Sequence, residues 1–179
     1  MREEVKMSVR GSKAWELLSS KRGPRLIVFM FLSLVGSMIR LPLPTGSVAL
    51  ETFPGYFAAL TFGWVDGGLV AGLSHLLVAA LGGFPLGIWL HLLAGLQMAL
   101  WAVCFWYIND RVGLLTAIIA ITILHSLVSV VYTLPIWNMV IFSGLLLPLA
   151  LAAAINLFLA GFLFLLGMKG RSSRWERNI

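Results

Sequence analysis

The sequence predicts an all-α membrane protein: six transmembrane helices with both termini on the cytoplasmic side. Three observations predict it. Only 11% of the 179 residues are charged and 60% are hydrophobic, whereas a soluble domain keeps its surface wet with roughly a quarter of its residues charged. The charges are also segregated: from Leu26 to Met168 the only formally charged side chains are Arg40, Glu51, Asp66, Asp110 and Arg111. Finally, a helix crosses about 30 Å of hydrocarbon with about 20 residues at about 1.5 Å each, so the segment 26–168 accommodates six crossings joined by tight turns.

Each span has a local reason. The first runs from Leu26 to about Leu41 and stops at Leu41-Pro42-Leu43-Pro44-Thr45-Gly46, where two prolines remove backbone donors and fix φ. The second begins near Thr52 and ends by Val65, and Asp66-Gly67-Gly68 supplies a turn into a third that reaches about Leu81. Gly82-Gly83-Phe84-Pro85 breaks that helix, and the fourth extends from about Gly87 to Ile108. Asn109-Asp110-Arg111 forms the next polar turn, the fifth spans about Val112 to Thr133, and Pro135 with Asn138 marks a loop. The sixth runs from about Phe142 to Met168, with Pro148 kinking or restarting it. The second and third are short and glycine-rich, which suits helices that are tilted, broken or covered by protein.

The chain therefore divides into a basic N-terminal tail (1–25), a six-helix membrane domain (26–168) and a basic C-terminal tail (169–179). Seven of the 13 basic residues precede Leu26 and four follow Met168. Such clusters beside apolar spans follow the positive-inside bias. An even span count places both clusters, and Arg111 with them, on the cytoplasmic face, leaving Arg40 near the outside. The basic pI near 10.1 thus belongs to membrane flanks and not to a nucleic-acid surface. The long polar leader lacks the small-residue cleavage site of a signal peptide. A single cysteine, Cys104, excludes an internal disulfide framework and a cysteine-based metal site.

Polar side chains at membrane depth need partners inside the bundle, so each is a functional candidate. His91 lies near the outer end of the fourth span. Gln97 and Trp101, four apart, share one face of that helix. His125 lies two turns below the outer end of the fifth span, followed by Trp137 and Asn138 in the next loop. With Glu51 at the outer boundary, these residues outline a substrate pocket in the outer half, between the last three helices and beneath the first outer loop. An aromatic wall with sparse hydrogen-bonding groups suits a small, partly planar organic solute. His75 in the third span and Asn156 in the sixth read better as links between helices. Glu51 has an obvious structural partner in Arg40. Trp89 and Trp106 read as interface anchors.

The three histidines lie on three spans without zinc-motif spacing, so no metal site is expected. No nucleophile–base set, His-Glu-x-x-His, paired aspartates or Walker sequence is present, so neither enzyme activity nor nucleotide binding is expected of this chain. Ser33 and Ser37, Ala59 and Gly63, Gly68 and Gly72, and Ala150 and Ala154 form small-x-x-x-small pairs, which allow close helix approach in lipid. Most of these pairs serve internal packing, and those on the first three spans also suit a docking protein.

Two stretches carry a resemblance. Ile39-Arg40-Leu41-Pro42-Leu43-Pro44-Thr45-Gly46 is followed by Glu51-Thr52-Phe53-Pro54, and Phe62-Gly63-Trp64-Val65-Asp66-Gly67-Gly68-Leu69-Val70-Ala71-Gly72 by Leu81-Gly82-Gly83-Phe84-Pro85-Leu86-Gly87. Together with length and span count over 26–168, they resemble the substrate-binding S components of energy-coupling factor (ECF) vitamin transporters. The resemblance implies a six-helix capture protein in the bacterial plasma membrane, binding one vitamin or precursor near the outside. It implies a lid formed by Pro42 to Glu51, with Pro42, Pro44, Thr45 and Gly46 at its centre. It also implies a coupling transmembrane subunit and two ATPases as partners, ATP being used only there. Family members dock through an Ala-x-x-x-Ala pair in the first helix, for which Ser33 and Ser37 are the nearest match here. Leu50-Glu51-Thr52-Phe53-Pro54 and Gly82-Gly83-Phe84-Pro85-Leu86-Gly87 are most similar to the branch proposed to import alpha-ribazole, the benzimidazole nucleoside of cobalamin. The same inventory admits another vitamin, such as a thiamine-related compound. A self-sufficient small-solute transporter and a non-transport assembly subunit are the rivals.

Overall fold

The computed structural model describes residues 21–43, 46–85, 87–131 and 139–175. Among these residues six helices follow one another, with a β-hairpin after the first: α1 (Arg22–Met38), β1 (Arg40–Leu43), β2 (Gly46–Ala49), α2 (Phe53–Phe62), α3 (Trp64–Leu81), α4 (Ile88–Val112), α5 (Leu114–Val131) and α6 (Met139–Trp175). Among the described residues, α3, α4 and Leu146–Gly167 of α6 are long and apolar enough to cross a membrane.

The segment expected to be a loop over the first two spans is an antiparallel hairpin, pairing Arg40 with Ala49 and Pro42 with Ser47. Proline is tolerated because an isolated hairpin is all edge. The boundary between the second and third helices also differs from expectation. Asp66-Gly67-Gly68 is not a turn. The chain breaks at Gly63, whose φ of 104° lies in the region that glycine enters without steric cost, and Asp66 sits in the first turn of α3. A carboxylate there favours the helix, because it faces the positive end of the helix dipole. α3 is consequently a full 18 residues, while α2 has only ten. At about 1.5 Å per residue α2 covers about 15 Å, half a bilayer core.

α2 is enclosed by its neighbours. It packs on α1, α3, α4 and α6, while the longer helices run in the order α1–α3–α4–α5–α6. Small residues permit the close approaches. A Cβ on Gly67 would lie 2.3 Å from the Ala59 Cβ, and one on Gly72 would lie 3.0 Å from the Gly95 carbonyl oxygen. The Ala59 and Gly68/Gly72 positions thus serve internal packing. The core between these helices contains Tyr56, Trp101, Phe105, Ile121 and Leu157, with Phe105 edge-on to Tyr56 at 5.4 Å between centroids.

At the end bearing Arg22, both arginines of α1 hold one buried carboxylate. Arg22 Nε and Arg25 Nη2 donate to the two oxygens of Asp66, and the Arg25 guanidinium lies 4.5 Å from the Phe62 ring centre. This basic end is thereby latched across α1, α2 and α3. At the hairpin end, Phe84 with φ 51°, Gly83 and Gly87 close the turn between α3 and α4 through left-handed backbone. α6 continues past the expected end at Met168 to Trp175 and carries Pro148 within one helix.

Candidate functional site

The hairpin is fastened at its base, and one buried side chain does most of it. Asn156 on α6 is 2% exposed. Its Oδ1 accepts from the backbone N–H groups of Thr52 (3.2 Å) and Phe53 (2.9 Å). Its Nδ2 donates to the carbonyls of Ala49 and Ala152, each at 2.9 Å. Asn156 thus satisfies two free donors at the start of α2 and ties the end of β2 to α6. On the other side, the Gly36 carbonyl of α1 accepts from Leu50 N–H at 3.0 Å. The chain passes so close that a Cβ on Gly36 would fall 2.1 Å from the Leu50 carbonyl oxygen. Asn156 is therefore the link that its sequence context predicts.

Glu51 stands beside this junction, half-buried. Burial pushes its carboxyl above the ordinary carboxylate range, and the nearby Arg40 guanidinium pulls it partly back. The expected Arg40–Glu51 partnership is thus present as an electrostatic one, with Arg40 itself exposed.

A set of buried polar groups of a different kind lies on α2, α3, α4 and α5. Gln97 Nε2 donates to Ser129 Oγ at 2.9 Å, joining α4 to α5, but Gln97 Oε1 has no partner. Trp101, one turn further along α4, is 7% exposed and its indole N–H is unpartnered. His125, one turn before Ser129 on α5, is buried with both ring nitrogens unpartnered. Tyr56, in the same core as Trp101, has a buried and unpartnered hydroxyl. On α3 and α4, His75 Nε2 and His91 Nδ1 meet at 3.3 Å, and the remaining nitrogen of each ring is buried without a partner. Phe84 covers His91 at 5.8 Å between ring centres, and His75 lies within electrostatic reach of His125.

Native interiors leave few polar groups unpaired, because each costs about 1–3 kcal/mol. Here several such groups lie buried on α2, α3, α4 and α5. Among the described residues, no group of three His, Cys, Asp or Glu is placed to hold a metal ion.

The structure joins Gln97 on α4 to Ser129 on α5 and sets His91 against His75 on α3; Trp101 and His125 are buried one turn along their helices from that link, and Glu51 stands at the foot of the hairpin. Trp137, Asn138, Pro44 and Thr45 lie outside the described residues. Pro42 and Gly46 belong to the two strands, and Pro42 is exposed. Ser33 is wholly buried within the chain, and the half-buried Ser37 hydroxyl donates to the Leu34 carbonyl at 2.7 Å. The exposed face of α1 is instead Ile27, Phe31 and Met38, so Ser33 packs internally and does not present the docking side chain expected of it. Trp89 is 81% exposed at the start of α4, as an interface anchor should be.

Three contributors escaped the sequence. Tyr56 passes as an apolar aromatic until its hydroxyl is counted. Ser129 is one of many serines, although its spacing of four from His125 puts both on one helix face. His75 reads as a link between helices, and its contact with His91 does join α3 to α4; what the sequence does not show is the buried, unpartnered second nitrogen of its ring. A groove of about 410 Å³ between Trp64, Cys104, Tyr107 and Leu124 is a separate feature with an apolar wall. Trp64 and Tyr107 are half-exposed, so it opens on the outside of the bundle.

No family model and no curated protein matches the chain. Among solved structures, it is similar to one described as the S component of a bacterial ECF transporter. The two share 24% identity with a TM-score of 0.64, over 87% of this chain and 98% of that one. The chain has the fold of that protein.

Proposed function

We propose that this chain is the membrane-embedded capture subunit of an ATP-driven ECF importer, binding a small, partly planar organic solute beneath the hairpin. The observation that carries the proposal is the set of buried, unpartnered polar groups on Tyr56, His75, His91, Gln97, Trp101 and His125. The likeness in fold to a transporter S component supports it. So does a hairpin fastened to both α1 and α6, to which we assign the role of a cover.

The solute enters from the hairpin side, stacks on an aromatic wall and pairs with the unpartnered groups while the hairpin covers it. By the sequence reading, Trp137 and Asn138, which lie outside the described residues, also contribute to the site. Binding energy alone cannot accumulate solute against a gradient. ATP hydrolysis in two partner ATPases, relayed through a coupling transmembrane subunit, resets the cycle, and this chain itself catalyses no reaction. The basic ends face the cytoplasm of a bacterial cell, in keeping with the positive-inside bias. The sequence resemblance favours alpha-ribazole as the solute, with its aromatic base for the indole and its ribose for the amide and imidazoles.

The test is native mass spectrometry of the detergent-purified chain, followed by extraction and identification of bound small molecules. One benzimidazole nucleoside per chain supports capture and this solute. Another vitamin keeps capture and replaces the solute. An empty chain that also fails to bind added vitamins by calorimetry overturns the proposal.

A further inference from the structure

Resting on the capture function, we propose that His75 and His91 act together as one charge-neutral hydrogen-bonding seat, presenting the solute with one donor and one acceptor. The captured molecule is accordingly uncharged and carries the complementary acceptor and donor.

A neutral imidazole has one N–H and one bare nitrogen. His75 Nε2 and His91 Nδ1 face each other at 3.3 Å, so one of them carries a proton and the other does not. Two protons or two lone pairs there would repel. If His91 Nδ1 donates, then His91 Nε2 is bare and His75 Nδ1 holds a proton. If His75 Nε2 donates, the two outward nitrogens exchange roles. In either arrangement the pair shows one outward donor and one outward acceptor. Both outward nitrogens are buried and unpartnered. The pair therefore adapts to either orientation of a ligand edge without changing its total charge. Phe84 shields it on one side, and His125 on α5, buried with both ring nitrogens unpartnered, has a donor and an acceptor of its own.

The second line concerns formal charge. An organic cation buried here needs a carboxylate beside it, and an anion needs an arginine or lysine. Of the five charged residues between Leu26 and Met168, Asp66 lies at the opposite end, held by Arg22 and Arg25. Asp110 and Arg111 occupy the last turn of α4, also at that end. Arg40 is exposed. Glu51 remains, at the foot of the hairpin, where burial opposes its ionisation. The segments 44–45, 86 and 132–138 contain no charged residue. The region thus offers hydrogen bonds without a fixed counter-charge. One route to binding an acid exists: a proton taken up by the pair turns both outward nitrogens into donors, which suits a carboxylate. Acidic probes are therefore the sharper control.

Calorimetry on the full chain in detergent, with a panel matched in size, tests this. The probes are a benzimidazole riboside and riboflavin as uncharged heteroaromatics, thiamine as a cation, and biotin and nicotinate as carboxylates. Binding of an uncharged probe alone, at one per chain, is the expected result. His75→Phe and His91→Phe should each weaken it at least about tenfold, the loss of one buried hydrogen bond. His75→Gln, which keeps a donor and an acceptor, should recover part of the affinity, a rescue that a purely structural histidine would not show. Thiamine, biotin or nicotinate binding as tightly as an uncharged probe overturns the seat and leaves capture intact. Unchanged affinity in both phenylalanine variants does the same. Failure of every probe to bind overturns capture itself. If a phenylalanine variant does not fold, the panel on the unaltered chain still decides.

Discussion

Replacing Asn156 with leucine isolates what the hairpin anchor contributes. The side chain is nearly isosteric and suits a lipid-embedded helix, so the loss is confined to hydrogen bonds. Three groups outside α6 lose their partner: the N–H groups of Thr52 and Phe53 and the carbonyl of Ala49. The fourth, the Ala152 carbonyl, belongs to the α6 ladder itself. At about 1 kcal/mol for each group left unsatisfied, the floor is about 3 kcal/mol. For a chain of this length that corresponds to a fall in Tm of about 6–12 °C. The loss should be local. Amide hydrogen exchange should accelerate in residues 46–56 while α4 keeps its protection, because the hairpin and the start of α2 open before the bundle does. Asn156→Asp is the informative companion. It keeps an oxygen for Thr52 and Phe53 but removes the donor to Ala49, so exchange should rise in β2 more than at the α2 start. Wild-type melting and wild-type exchange in Asn156→Leu would refute the anchoring argument.

The remaining expectations follow from the same geometry. Gly36→Ala should displace the hairpin, since its Cβ would lie 2.1 Å from the Leu50 carbonyl oxygen; a cost of about 1–3 kcal/mol should appear as a lower melting temperature, and an unchanged melt would contradict the close approach. Asp66→Asn should destabilise the basic end by roughly 3 kcal/mol, the low end for breaking a buried pair because Arg22 is half-exposed and screened; exchange should quicken in the first turns of α1 and α3. Because burial raises the Glu51 carboxyl above its ordinary 4.5, the folded chain holds that proton more tightly than the unfolded one. Its contribution is therefore fully present below 4.5 and is lost as pH rises through the raised value; Glu51→Gln should remove this component from a plot of Tm against pH, and identical profiles would exclude it. Gln97→Ala should weaken solute binding by losing a group that faces the site and freeing Ser129, whereas unchanged affinity and stoichiometry in calorimetry would remove Gln97 from the site.

What the sequence could state was set by what a one-dimensional pattern constrains. The succession of six helices and the break at Gly82–Pro85 are local properties, and the described residues have them. The α2–α3 boundary was not legible, because Asp66-Gly67-Gly68 resembles a turn and only tertiary contact reveals that Arg22 and Arg25 reach Asp66 from α1. Nor was the hairpin legible. Prolines argue against strands, and the pairing of Arg40 with Ala49 depends on α1 and α6 holding both ends. Helix rotation was the third gap. When every face is apolar, periodicity does not say which side turns inward, and Ser33 turned inward where an outward docking face was expected.

That last gap explains why one class of residue divides into two roles. His75, Gln97, His125 and Asn156 look alike in sequence, each a lone hydrogen-bonding side chain among aliphatic neighbours. In the fold Asn156 has all four of its hydrogen-bonding positions filled by backbone, so an added ligand would have nothing to satisfy there. His75, Gln97 and His125 retain empty positions in an interior where empty positions are costly. The first arrangement stabilises the empty chain. On the proposed capture function, the second leaves part of that stability to be supplied by a bound molecule, so that affinity for the solute would be drawn from hydrogen bonds the protein does not complete by itself. Anchor variants should therefore lower the stability of the ligand-free chain. Variants of the unpartnered residues should lower chiefly the increment in Tm gained on adding solute. A histidine variant that destabilises the free chain as much as Asn156→Leu, with the ligand increment unchanged, would place that histidine with the anchors.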